Sequence, residues 1–363
     1  MIPNIYKGNY KLLVIIPIIL LILSLYFAQS IKPGVDFRGG TLIKLTVDQN
    51  LDSKQLQANL EKEGLQGTVI TYALPTGYAV EIELGQSMDL VNAESIKTNF
   101  TKLLDAQVQK ESFGNLSNAT TDKPEMIKLA NQMLTLARIQ KTITEDEGLN
   151  SIDKQVSAAY TKVYDNYQQS ISGPIQKYVK YTSISVHTVS PLLRGKFVEK
   201  AEQTVLYSAI VSIIFVFIFF RTFVPSLAVI IGAAADVTFA LGGMGLLGIP
   251  FTLPTLAALL MLAGFSLDTD ILLTMRMLKR QGDPREKAFD AFKTGATMSI
   301  AAIIAFAVLF IISLYTRIST YYEISAVALV GLVGDLFATW GINAVILLMY
   351  VESKEPKKTP VEK

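Results

Sequence analysis

Asp268 and Asp270 are the residues whose chemistry most needs explaining. They lie in GFSLDTDILLTMRMLKR, Gly264 to Arg280, within an apolar run long enough to cross a bilayer, which takes about 20 residues. A carboxylate near mid-membrane costs roughly 2.5–3.5 kcal/mol on the most lenient scale, so such groups face a bundle interior or a wet cavity and often serve an ion or proton path. On a helix, Gly264, Asp268 and Arg276 share one side, and Ser266, Asp270 and Thr274 form a neighbouring polar stripe. Asp236 recurs in GAAADVTFALGG, stacked with Gly232 and Ala240 at a spacing that lets helices approach closely. Asp335 recurs in GLVGDLFATWGINA, on a stripe with Gly331, Thr339 and Asn343. Carboxylates at depth on three apolar segments point to one shared polar core, water-filled or proton-conducting. The plainer reading is glue between helices.

Lys293 is a candidate counter-charge. Asp283-Pro284 makes a good helix start, with Asp as N-cap and Pro at the first position. Lys293 then lies about 13 Å up that helix, and Asp270 about 15 Å from a helix end at Arg280. In an antiparallel hairpin the two are level. The sequence therefore predicts one electrostatic unit of Asp268, Asp270 and Lys293, with Asp236 and Asp335 on facing helices or toward a partner. The alternative is that Lys293 snorkels to the surface.

The elements that must position these groups follow from composition. Half of the 363 residues are hydrophobic and the mean hydropathy is +0.38, which marks a membrane protein. Six apolar runs cover Leu12–Ala28, Thr204–Phe220, Val224–Leu247, Leu253–Leu278, Lys293–Leu314 and Ile324–Tyr350. The first has no small-residue cleavage site after it and reads as a retained anchor. The most basic short loop holds Lys279, Arg280, Arg285 and Lys287, which places it and both termini in the cytoplasm. Lys7, Lys11, Arg221, Lys354, Lys357 and Lys358 agree, and Arg317 dissents. The net charge of +2 calls for no nucleic-acid partner, and the absence of cysteine excludes disulfides and thiolate metal sites. With His187 as the single histidine, a histidine-rich zinc site is excluded too. No nucleophile–base pair or phosphate loop appears, so the chain reads as no enzyme and needs no cofactor.

Residues 30–203 are polar and form a separate domain outside the membrane, between a first segment at 1–29 and a bundle at 204–351. Residues 352–363 make a charged cytoplasmic tail. Alternation predicts strands over Thr41–Val47, Gly67–Leu74, Tyr78–Leu84 and Lys177–Thr188, with Pro75, Thr76 and Gly77 turning between the second and third. Helices are predicted over Ser53–Glu63 and Asp89–Lys110. The order strand, helix, strand, strand, helix, strand is that of a ferredoxin-like unit. Residues 115–172 form a helical insertion, Met126–Thr142 and Ile152–Ser170, read either as a partner-binding arm or as a passive addition.

These segments resemble the SecF family of protein-export membrane proteins, especially its archaeal branch. GVDFRGG, with Gly34, Asp36, Gly39 and Gly40, is similar to the family signature after the first span. GFSLDTD with Arg276, AFKTGATMS at Ala291–Ser299, and the Asp335, Trp340, Asn343 pattern resemble its later signatures. Thr269 stands where bacterial members have aspartate, and Lys293 where members usually have arginine. The resemblance implies a six-span half of the resistance-nodulation-division (RND) type in the cytoplasmic membrane. It also implies a SecD homologue and the SecYE-type Sec channel as partners, a translocating polypeptide as client, and the proton gradient as drive. A lipid or small-molecule exporter subunit and a passive translocon scaffold are the other readings.

The topology has a direct test. A cysteine placed at Ser87, in a chain that has none, is expected to react with a membrane-impermeant reagent from outside only. Labelling from the cytoplasmic side alone contradicts it.

Overall fold

A computed structural model describes residues 3–74, 77–85, 87–112, 122–189, 191–316 and 318–354. The turn residues Pro75 and Thr76, the first part of the insertion up to 121, Arg317 and the tail from 355 lie outside them. The chain divides into two units, Met1–Gly34 with Val198–Lys363, and Val35–Phe197.

A short 3-10 turn, Tyr10–Val14, leads into α1 (Ile15–Ala28). The sheet domain then runs α2 (Val35–Arg38), β1 (Gly40–Val47), α3 (Ser53–Lys62), β2 (Gly67–Leu74), β3 (Gly77–Leu84), α4 (Met88–Ser112), α5 (Lys123–Leu136), α6 (Leu149–Tyr178) and β4 (Ser183–Val189). Its strands lie in the order β2-β3-β1-β4, each pair antiparallel, as the ferredoxin-like order requires. The alternation read from the sequence sets the register. Ile43 pairs with Ile82 on one side and Val186 on the other. Ile43, Leu45, Val47, Val80 and Ile82 are buried on one face of the sheet. Asp52 starts α3 by accepting the backbone N–H groups of Lys54 (2.9 Å) and Gln55 (3.4 Å).

Two differences from the sequence reading matter. Residues Lys177 and Tyr178 are the end of α6, and the last strand begins only at Ser183. The second helix covering the sheet is α6, not the Asp89–Lys110 helix. Ile171, Ile175 and Val179 join Leu56 and Leu60 of α3 against the strands. Helix α4 instead packs with α5 and the first half of α6 in a second core around Phe100, Met126, Met133, Ile152 and Val156. The apolar stripe of α4 has helical period, but a stripe does not say which neighbour it buries against. The 30 residues of α6 reach both cores.

The bundle continues with α7 (Pro191–Phe220), α8 (Phe223–Leu247), α9 (Leu253–Lys279), α10 (Pro284–Thr316), α11 (Ser319–Phe337), a π-helical segment (Ala338–Asn343) and α12 (Ala344–Lys354). Six described segments are long and apolar enough to cross a membrane, the last joining most of α11, the π segment and α12. Helices α8, α9 and the last span supply the interior, while α1, α7 and α10 leave most of their apolar surface uncovered, as lipid-facing helices do. The turn between α8 and α9 is well determined locally. Gly248 ends α8 in the left-handed region (φ 67°), and Thr252 and Thr255 form a capping box at the start of α9.

The two-core arrangement is open to measurement. Ile175→Ala is expected to cost about 2–5 kcal/mol in the sheet core and to speed amide exchange in β1 and β3. Val156→Ala is expected to act on α4 and α5 instead. Equal effects of both variants on β1 would show a single core.

Candidate functional site

Helices α8, α9 and α11 each bring one carboxylate to the bundle interior. Asp236, Asp270 and Asp335 are all 0% exposed. The Ser266 hydroxyl donates to Asp236 Oδ2. Thr339 lies between the other two, within 3.0 Å of Asp270 Oδ1 and 3.1 Å of Asp335 Oδ1. Asn343 Nδ2 donates to Asp270 Oδ1 at 2.6 Å. Thr269 Oγ1 (3.2 Å) and Ser299 Oγ (3.1 Å) reach the two oxygens of Asp335. Asp236 Oδ1 and Asp270 Oδ2 receive no bond from a described residue. Gly232 makes room on α8, since a Cβ there would lie 2.6 Å from Asp270 Oδ2.

Every side-chain donor to these carboxylates is a hydroxyl or an amide. No described lysine or arginine is hydrogen-bonded or ion-paired to them. Three carboxylates cannot all stay ionised in an apolar interior without counter-charge, because each isolated buried charge is far too costly. Charge balance there requires protons or a cation.

The sequence reading of the charged unit needs correction. Residues 268 and 270 differ by roughly 200° around a helix of 3.6 residues per turn, so the two stripes of α9 part company. Ser266, Thr269, Asp270 and Thr274 face inward, while Gly264 and Asp268 are exposed. Asp268 borders a groove of about 170 Å³ with Met261, Phe265, Phe306 and Leu332. Lys293 is also outside the cluster. Its side chain is 56% exposed, lies 3.4 Å from Asp290 on its own helix and sits over the Phe289 ring. Level depth did not bring it to Asp270, because its side chain leaves the opposite face of α10 from Gly295 and Ser299. Arg276 donates to the Asp290 carbonyl, tying the last turns of α9 to the first turns of α10.

The GVDFRGG residues have backbone and ion-pair roles. The Gly34 N–H donates to the Phe251 carbonyl at 2.7 Å, and a Cβ on Gly34 would meet Thr252 at 2.6 Å. Gly39 (φ 73°) and Gly40 (φ 120°) turn the chain into β1. Asp36 is buried and lies 3.0 Å from His187 Nε2, a pairing that strand patterns cannot show. Thr269 and Ser299 were not among the sequence candidates. Ser299 had one signal, the small-residue stripe Ala291, Gly295, Ser299 at intervals of four. The π segment had none.

Residues 171–353 match the family described as protein export membrane protein SecD/SecF, C-terminal, and residues 31–50 match the SecD/SecF GG motif. The protein-export membrane protein SecF of Methanocaldococcus jannaschii is 30% identical over 362 residues, covering 96% of this chain and 99% of that protein. SecF of Methanothermobacter thermautotrophicus is 43% identical over 171 residues, covering 46% of this chain and 60% of that protein. The crystal structure of SecDF, a translocon-associated membrane protein from Thermus thermophilus, superposes with a TM-score of 0.60 at 16% identity, covering 94% of this chain and 38% of that one. This chain thus spans nearly the whole Methanocaldococcus protein, 60% of the Methanothermobacter one and 38% of the Thermus one. It has a multi-pass fold like that SecDF structure, with an antiparallel-sheet domain. The chain belongs to the SecF family of protein-export membrane proteins.

Close packing at the cluster is testable by stability. Gly232→Ala is expected to lower the stability of the purified protein by about 1–3 kcal/mol through overpacking. Gly264→Ala, whose Cβ would meet open space, is expected to be neutral. Equal stability of the two variants contradicts the tight approach of α8 to Asp270.

Proposed function

We propose that this chain is an accessory subunit of the Sec translocase that helps polypeptides leave the channel, using the proton gradient. The observation that carries the reading is the group of three fully buried carboxylates on three spans, with hydroxyl and amide donors around them. Membership of the SecF family supports the export role, a SecD homologue as the six-span partner, and a SecYE-type channel as the site of action. The basic loop between α9 and α10 supports cytoplasmic termini, which puts the sheet domain on the outer face, where an emerging chain would meet it.

The energetics suffice. One charge crossing 100 mV gains about 2.3 kcal/mol, which biases a two-state equilibrium more than tenfold. A proton taken up by Asp270 or Asp335 from one side and released to the other would remake the bonds that join α9 to the last span. Thr339 and Asn343 would change partners first, because they hold Asp270. The sheet domain then moves by the motion of the helices that flank it in sequence. In this reading no bond of the client is made or broken, so the protein is not an enzyme. An exporter subunit and a passive scaffold remain the competing readings, and the test below separates them from this one.

Asp270→Asn and Asp335→Asn are expected to cut gradient-dependent export of a reporter at least about tenfold, in keeping with the gain lost, at unchanged membrane abundance. Lys293→Ala is expected to export normally, since among the described residues the carboxylate Lys293 pairs with is Asp290, outside the cluster. Normal export by the double aspartate variant would reduce the cluster to helix glue. Unchanged export together with co-purifying lipid and no channel subunits would favour the exporter.

A further inference from the structure

The segment before the first span is packed with its own purpose. Tyr6 is 0% exposed, and its hydroxyl donates to the carbonyl of Trp340 at 3.0 Å. Trp340 lies in the π segment. There the Ala344 N–H goes back five residues to the Thr339 carbonyl, whereas an α-helix would send it four back, to Trp340. The register slip takes the α-helical donor from Trp340, and Tyr6 supplies another. Burial pushes the Tyr6 hydroxyl well above the ordinary tyrosine range, so it remains a donor throughout the physiological range.

The same six residues, 338–343, present Thr339 and Asn343 to Asp270. We propose that Tyr6 is a positioning residue that holds this segment in its π register and thereby keeps Thr339 and Asn343 on Asp270. The surroundings fit a set geometry. Asn4 Oδ1 accepts the Tyr6 N–H at 2.9 Å. Tyr10 donates to Glu352 (2.7 Å), which Arg285 also binds (2.9 Å), so the strap is tied to the start of α10 and the end of α12. Gly341 admits the strap, for a Cβ there would lie 2.5 Å from Pro17 and 3.1 Å from the Leu13 carbonyl. On the other side Gly295 leaves no room for a Cβ beside the Trp340 ring, and Phe292 meets that ring edge-on at 5.4 Å. A π turn within a span is the kind of local irregularity that marks a functional position. Here Tyr6 gives it a donor from outside its own helix.

The effect on export rests on the ion-coupling reading; the effect on the π segment does not. Trp340 is the only tryptophan of the chain, so its fluorescence reports on the segment directly. The experiment uses the full chain in lipid nanodiscs, with emission followed against pH. The charged groups that can couple to Asp270 are Asp236 and Asp335. Tyr6→Phe keeps the ring and removes the hydroxyl. It is expected to shift Trp340 emission and to displace a pH transition that Asp270→Asn abolishes. Leu13→Ala, which loosens the same packing and leaves the hydroxyl, is expected to keep that transition. Asn4→Ala, which removes the tie to the Tyr6 backbone together with the Asn4 Nδ2 bond to the Arg285 carbonyl (3.4 Å), is expected to act like Tyr6→Phe but less, and it serves if Tyr6→Phe does not fold. Export in Tyr6→Phe cells is expected to fall roughly three- to tenfold, the equivalent of about one hydrogen bond. Wild-type emission at every pH in Tyr6→Phe and Asn4→Ala overturns the assignment. Altered emission with normal export in both Tyr6→Phe and Asp270→Asn upholds the positioning role and overturns the ion-coupling function instead.

Discussion

Burial of carboxylate without counter-charge is the constraint on which the bundle depends. Asp236, Asp270 and Asp335 are removed from solvent and lipid alike, and their described donors are hydroxyls and an amide. An isolated ionised group in such a place is untenable. In the proposed function, such a cluster would have two protonation states that differ in the bonds it makes to its neighbours. A gradient-driven device needs such states to be nearly balanced, since a membrane potential offers only a few kcal/mol per charge. A lysine inserted among them would supply the counter-charge and, in the proposed function, abolish the proton dependence. The position of Lys293, outside on α10, is consistent with that logic.

The helices around the cluster are arranged to permit it. Gly232 lets α8 approach Asp270, and Ser299 and Thr269 supply small hydroxyls where larger side chains would separate the helices. The π segment adds an extra residue to the last span, so Thr339 and Asn343 meet Asp270 while Thr339 also meets Asp335. The register slip redirects the Ala344 N–H from Trp340 to Thr339, and the N-terminal strap supplies the Trp340 carbonyl with the Tyr6 hydroxyl. Local irregularity at the site is thus balanced by a contact more than 300 residues away in sequence, as the separation of 334 between Tyr6 and Trp340 shows.

The sheet domain follows a simpler logic. Its strands alternate, its helices are amphipathic, and its sheet order is the one its element order implies. The departure is that α6, not α4, covers half of the sheet. Both helices carry apolar residues at helical spacing, and several arrangements bury them equally well. In this fold α6 enters both cores, whereas α4 contributes to the second alone.

Much was legible in the residues alone. Apolar run length gave the spans, period-two alternation gave the strands, and three aspartates in apolar runs gave the candidate site, because each of these signals depends on neighbours within a turn or two. GVDFRGG and GFSLDTD pointed to the family because they are contiguous. What the residues could not decide was facing and partnership. Asp268 and Asp270 look equivalent in the sequence, yet one points out of the bundle and the other in, since two residues turn a helix by more than half a circle. Lys293 and Asp270 agree in depth but not in azimuth, and depth is all that counting from a helix end supplies. His187 with Asp36, Thr269 with Asp335 and Tyr6 with Trp340 are pairings across distant segments. They exist only once the helices and strands have packed, because a side chain's partner is set by the rotation of its element against its neighbours.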